Sequence, residues 1–156
     1  MMGKVEEEVE EVIGVIRDAL TRRRYWLPEF CDLFFTDKRV VGAVVLSRKA
    51  TAGYSVLIGG LRFGLFGWYL ARRDRERYRK VFEGKKPGEI LLLEEDNFQI
   101  PYNDILSVTL HKGLLRATIE FEVFREEEQE KLTFSFSSKQ FSDAEKTVQK
   151  VLNDKL

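Results

Sequence analysis

The chain carries one histidine and one cysteine among its 156 residues, so few of its groups could do acid–base, nucleophilic or metal chemistry. His111 falls at the end of a strand pattern, beside Lys112-Gly113. A general base wants a cleft and an orienting partner, and an exposed turn supplies neither. Cys31 precedes an apolar run, where a lone cysteine is more often a small buried hydrophobe than a nucleophile. One Cys and one His cannot build a Cys/His zinc site within one chain, and one Cys cannot build an internal disulfide. The acidic runs at Glu6–Glu11 and Glu126–Glu130 could attract cations, but charge runs are usually solvated faces. The glycines at 59, 60, 64 and 67 have neither the P-loop nor the dinucleotide-binding spacing. No catalytic residue, metal site or cofactor is expected, and the chain does not read as an enzyme.

The remaining chemistry is that of surfaces. Between Arg72 and Lys86 there are eight basic and three acidic residues. Directly before them, residues 53–71 read GYSVLIGGLRFGLFGWYLA, with Arg62 as the single charge. The whole chain balances 26 basic against 26 acidic residues, so no overall field draws it to nucleic acid. Nucleic-acid binding would have to rest on the Arg72–Lys86 stripe alone. Charged residues make up 33% of the chain and Met only two positions, a balance that leans towards a heat-adapted cytosolic protein.

The elements that would position these groups follow from hydrophobic period. Val5, Val9, Val12, Ile13, Ile16 and Leu20 recur at helical spacing and predict an N-terminal helix over 4–22. Its acids come first and Arg22, Arg23 and Arg24 last, which suits the helix dipole. An acidic start is also unlike a signal peptide. Asp32–Thr36 and Arg39–Leu46 read as strands joined by the tight turn Thr36-Asp37-Lys38-Arg39. Beyond them lies an alternating meander. Its apolar sets are Phe98, Ile100, Tyr102; then Leu106, Val108, Leu110; then Leu115, Ala117, Ile119, Phe121, Val123; then Leu132, Phe134, Phe136. Pro101 cannot donate to a ladder and so ends its strand or marks an edge. Phe141, Ala144, Val148, Val151 and Leu152 form the stripe of a C-terminal helix over 139–154. Two capping patterns, Ser137-x-x-Gln140 and Ser142-x-x-Glu145, compete for its start.

Two short segments carry a resemblance. Leu33-Phe34-Phe35-Thr36-Asp37-Lys38-Arg39-Val40 resembles the first hairpin of prokaryotic pleckstrin-homology-like and GRAM-like domains. Ile100-Pro101-Tyr102-Asn103-Asp104-Ile105-Leu106-Ser107-Val108 is similar to a later segment of the same family. The resemblance spans residues 31–46 and 89–156. It implies an α+β fold in which a small, bent antiparallel β-barrel is plugged by the C-terminal helix. It also implies a binding or adaptor role. Against that family this chain adds the N-terminal helix and a helical insertion at 53–83, all within a single domain of residues 1–156. Of the basic pattern expected at the first hairpin, Lys38 and Arg39 are present.

The insertion admits several readings. A single membrane span needs about 20 apolar residues. It would also place the first hairpin and the rest of the barrel on opposite sides of the bilayer. A membrane-surface helix uses Phe63, Phe66, Trp68 and Tyr69 as interfacial anchors and Arg72, Arg73, Arg75, Arg77 and Arg79 against anionic lipid heads. A helix packed on its own barrel or on a second copy uses the small residues Gly60, Gly64 and Gly67 for close approach. A strand is a further reading, since glycines are poor in helix interiors. The functional expectation is a non-catalytic adaptor, cytoplasmic and peripheral to the inner face of the membrane, or acting through a protein partner. The alternative is a self-associating structural module whose insertion packs at a homo-oligomer interface without lipid contact.

Overall fold

Thr36 organises the turn from which the sheet grows. Its hydroxyl donates to Glu10 Oε1 at 2.7 Å and accepts from the amides of Lys38 and Arg39 at 3.1 and 3.0 Å. A threonine that caps its own turn in this way fixes the direction of the chain on both sides. The strands it joins are β2 (Glu29–Thr36) and β3 (Arg39–Leu46). The computed structural model describes residues 9–21, 29–46 and 64–156, and the side chains of all of these except 46 and 64–71.

Five more strands complete the sheet: β1 (Val12–Thr21), β4 (Phe98–Pro101), β5 (Ile105–Lys112), β6 (Arg116–Arg125) and β7 (Glu128–Ser137). Their order is β4-β3-β2-β1-β7-β6-β5, and every neighbouring pair is antiparallel. Among the described residues three α-helices accompany them: α1 (Gly64–Phe82), α2 (Pro87–Leu93) and α3 (Phe141–Leu152). The fold is α+β. The expected barrel is not closed, because β4 and β5 are the two edges of the sheet and no ladder joins them. The chain passes from one edge to the other through a single 3₁₀ turn, Tyr102–Asp104. Pro101 is the last residue of the edge strand β4, where a missing donor costs nothing.

Residues 12–21 correct the expected N-terminal helix, for they form a strand, and residues 4–8 and 22 of that reading lie outside the described residues. The physical reason is a bulge. The register of β1 on β2 shifts between Ile16 and Ala19, and Asp18 takes a left-handed φ of 52° there. An extra residue resets the alternation, so Ile16 and Ala19 both face the core although three positions apart. That spacing imitates one face of a helix. β5 repeats the device: its register shifts between Ile105 and Ser107. Ile105 and Val108 are buried, and Leu106 turns outward instead of joining the expected Leu106/Val108/Leu110 face.

The main core lies between the curved sheet and α3. Phe35, Phe121 and Phe134 are fully buried, and the Phe121 and Phe134 rings meet edge to face at 5.9 Å. Ala117, Ile119, Phe121 and Val123 are buried in strict alternation as expected, while Leu115 falls in the turn and is exposed. Helix α3 closes this core with Ala144, Val148 and Leu152, four apart. Phe141 is only partly buried. Neither capping pattern starts α3. Ser137 Oγ accepts from Lys139 N, and the Gln140 amide exchanges two hydrogen bonds with the backbone of Arg17, accepting from its N–H at 2.9 Å and donating to its C=O at 2.8 Å. Gln140 therefore pins the start of α3 to the β1 bulge.

A second apolar cluster covers the other face of the same sheet. Val41, Ala43 and Val45 of β3 pack with Phe82 of α1 and Ile90 of α2. Asn97 ties this layer down, accepting from Val44 N and donating to Ile90 O, both at 2.8 Å. Strand β2 is thus covered on both sides. Cys31, Leu33 and Phe35 face the main core, while Phe30 and Phe34 pack against the outer cluster.

Candidate functional site

Asp32 is the outlier of β2. It sits between Phe30 and Phe34 in sequence and is 1% exposed. A buried carboxylate needs a partner, because desolvation of an unpaired charge costs several kcal/mol. An arginine of α1 supplies the charge. Arg79 Nε donates to Asp32 Oδ2 at 2.7 Å and Arg79 Nη2 to Asp32 Oδ1 at 3.0 Å. Arg79 Nη2 also donates to Asp18 Oδ1 at 2.7 Å, and Arg75 Nε to the same oxygen at 3.1 Å. The Asp18 amide closes the ring by donating to Asp32 Oδ1 at 3.0 Å. The left-handed turn at Asp18 is what aims both its amide and its carboxylate at this point.

Arg75 and Arg79 are one helical turn apart, and Phe82 follows on the same face, so α1 presents one stripe to the sheet. The Arg75 guanidinium also lies 4.3 Å from the centroid of the Phe30 ring. The hydrogen bonds it donates to Asp32 push the Arg79 pKa further up, against the opposing effect of burial. The cluster is an electrostatic latch that mounts α1 on the outer face of β1 and β2.

The latch divides the expected basic stripe. Arg75 and Arg79 point inward and are engaged by Asp18 and Asp32. Arg72, Arg73 and Arg77 are exposed on α1, and Arg72 pairs with Glu76 one turn on at 3.5 Å. Phe66, Trp68 and Tyr69 belong to α1, but their side chains lie outside the described residues, as do Phe63 and Arg62 entirely. The helical reading of the insertion therefore holds for residues 64–82.

The hairpin cations have separate settings. Lys38 is exposed at the tip. Arg39 is held by Glu10 in a fork, Nε to Oε1 at 2.9 Å and Nη2 to Oε2 at 2.8 Å, while Nη1 donates to Gln99 at 2.8 Å. That fork, with the Thr36 hydroxyl, holds the Glu10 carboxyl below the usual glutamate range despite its partial burial. Tyr102 donates its hydroxyl to Thr36 O, and burial, with Asp37 and Glu10 nearby, pushes its pKa well up.

A cleft of about 520 Å³ opens beside the free edge of β4, between Leu91 and Leu92 of α2 and Arg125, Glu130 and Leu132 of the β6–β7 hairpin. Its polar groups are Asn97, Gln99, Arg125 and Glu130, with no nucleophile placed beside a base. His111 is exposed, and the Cys31 thiol is buried, 3.5 Å from Ala19 O. Among the described residues no group of three His, Cys, Asp or Glu side chains is arranged to hold a metal, and no helix is long and apolar enough to cross a membrane. No protein-family profile matches the chain, and no curated protein sequence matches it.

Asp18 and Asp32 were not singled out by sequence reasoning. The signal for Asp32 was present: an acid enclosed in Phe30-Cys31-Asp32-Leu33-Phe34-Phe35 belongs to a strand whose other members are apolar, and so calls for a buried cation. Asp18 gave none, because its role depends on the bulge.

Proposed function

We propose that the chain is a non-catalytic binding module on a pleckstrin-homology-like scaffold, acting at an anionic membrane surface through its insertion. The strand order, the short passage between the edge strands and the C-terminal helix over the core support the scaffold, with its barrel left open at one seam. The observation that carries the functional reading is the division of the α1 arginines. Two are drawn inward as a mount, and Arg72, Arg73 and Arg77 stay outward on the same helix. A latched helix holds its outward charges in fixed positions, directly after the apolar, aromatic segment 53–71. Each such cation contributes about 1 kcal/mol near an anionic surface, and buried apolar area about 25 cal/mol per Å². The cell-side expectation is peripheral attachment at the inner face of the membrane.

Cosedimentation with neutral and anionic vesicles at low and high salt tests this. Binding should prefer anionic vesicles, weaken with salt, and fall with Arg73→Ala plus Arg77→Ala or with Phe66→Ser plus Trp68→Ser. Equal behaviour towards both vesicle types would overturn it. A second reading, self-association, draws on Tyr78 and Val81, which are 46% and 51% exposed three positions apart on α1. It predicts a salt-resistant dimer in solution, lost on Tyr78→Ser with Val81→Ser, and no vesicle preference.

A further inference from the structure

The turn between β5 and β6 places two leucines where turn chemistry asks for something else. Gly113 N donates to Arg116 O at 2.9 Å, which leaves Leu114 and Leu115 as the two central residues of the loop. Turn positions favour Gly, Pro, Asn, Asp or Ser over large apolar side chains. Burial would be leucine's usual return. Yet Leu114 is 95% and Leu115 78% exposed, and Leu114 is the most exposed large hydrophobic among the described residues.

The tip is also braced. Ser138 N donates to Leu115 O at 3.1 Å, and Ser138 Oγ donates to Leu114 O at 3.2 Å. The two leucine carbonyls are thus held from one side by the segment that leads into α3. Arg116 lies along β7, with Nε 3.1 Å from Ser135 Oγ and Nη2 2.7 Å from Ser135 O. Lys112 Nζ stands 5.8 Å from the centre of the Phe141 ring.

Charge around the tip is one-sided. Residues 105–119 and 132–142 contain no acid, in a chain with 26 of them. They contribute Lys112, Arg116 and Lys139, with His111 beside them. The first acid beyond is Asp143, in the first turn of α3. The opposite end of the same β6–β7 ladder carries Glu126, Glu127, Glu128 and Glu130. With ten residues per strand at ~3.3 Å each, those acids lie roughly 30 Å away. The neutral whole therefore conceals a polar molecule with an apolar, cationic pole.

We infer that the Leu114–Leu115 tip is a docking point for an anionic lipid bilayer, the leucines entering the acyl boundary and Lys112, Arg116 and Lys139 meeting the headgroups. A convex two-residue tip offers far less than the roughly 800 Å² per partner of a stable protein interface. A fluid bilayer, by contrast, closes around a protruding side chain. The cations that flank the tip match anionic headgroups in sign. The inference shares the bilayer with the proposed function and adds a contact outside the 53–83 insertion.

The test uses vesicles of phosphatidylcholine alone and vesicles with added phosphatidylserine, with the intact chain and three variants. These are Leu114→Ser with Leu115→Ser, Lys112→Ala with Lys139→Ala, and Arg73→Ala with Arg77→Ala. The leucine pair should bind phosphatidylserine vesicles about tenfold or more weakly, since a buried leucine side chain is worth that much. The lysine pair should lose the anionic preference. A polarity-sensitive dye on Leu115→Cys should shift to the blue with phosphatidylserine vesicles and stay unshifted with phosphatidylcholine alone. Wild-type binding by the leucine pair, or an unshifted dye, overturns the inference. If only the Arg73/Arg77 pair loses binding, the tip fails and the insertion reading stands. If only the tip variants lose it, the insertion reading fails and the tip stands. A wild type that ignores both vesicle types overturns both.

Discussion

Arg79 grips Asp32 through two parallel hydrogen bonds, 2.7 and 3.0 Å long, beneath a helix joined to the sheet from more than forty residues away in sequence. Because Asp32 is almost wholly buried, removing its partner leaves a charge with no water to solvate it. Arg79→Met should cost about 3–5 kcal/mol in denaturant unfolding. Arg79→Lys should recover little of that, since an ammonium cannot make the paired contact. Combining Arg79→Met with Asp32→Leu should cost clearly less than Arg79→Met alone. An unchanged unfolding midpoint for Arg79→Met would remove the latch as a stabilising element.

Gly42 pairs with Phe98 of β4, whose ring lies over it. A Cβ there would stand 2.1–2.6 Å from the tip atoms of the Phe98 ring. Gly42→Ala should therefore destabilise by about 1–3 kcal/mol through overpacking. The colliding atoms are all at the ring tip, so Phe98→Leu removes them. The double variant should be more stable than the sum of the two single changes predicts, and strict additivity in a double-mutant cycle would show that the ring is not the obstacle.

The parts of the fold that were legible share one property: their periodicity is unbroken. β6 and β7 alternate without interruption, the Thr36–Arg39 turn is short and polar, and the α3 stripe keeps its fourfold spacing through Ala144, Val148 and Leu152. Residues 12–21 were misread because a single extra residue at Arg17-Asp18 changes a period of two into a spacing of three. The same shift at Ile105–Ser107 sent Leu106 outward. The arginine stripe was legible as charge but not as partnership. Asp18 and Asp32 stand 57 to 61 and 47 residues from the arginines they bind, and even the enclosed Asp32, which calls for a cation, does not say which one.

Glu10 gives the fold a specific acid sensitivity. Hydrogen bonds from Arg39 come first among the causes that hold its carboxyl below the ordinary value of 4.5. A lowered carboxyl stabilises the folded state fully above its unfolded pKa and loses that contribution as pH falls through the folded one. Glu10→Gln should therefore melt below the wild type near neutrality, and the gap should close as pH drops below about 4.5. Other carboxylates titrate in both proteins, so the difference between the two melting curves isolates Glu10. A gap that stays constant down to about pH 2.5 would mean that its ionisation contributes nothing.

Glu126 and Glu127 close the β6–β7 hairpin with φ angles of 52° and 64°, both left-handed. A two-residue loop with both centres in that region is the type I′ geometry, which follows the twist of the strands and is best filled by Asn-Gly. Glutamate has a Cβ in the way, at about 1–2 kcal/mol per residue. Four carboxylates also crowd residues 126–130, and the ion pair of Arg125 with Glu130, at 3.5 Å, is exposed and contributes little. Glu126→Asn with Glu127→Gly should therefore raise stability by about 1–2 kcal/mol, read as a higher melting temperature. The two causes separate with salt. Repulsion is screened as the Debye length falls from about 10 Å at 0.1 M to about 3 Å at 1 M, whereas backbone strain is indifferent to it. Most of the gain should survive at 1 M salt. A gain that vanishes there would assign it to charge alone, and no gain at either concentration would show that the left-handed pair carries no strain.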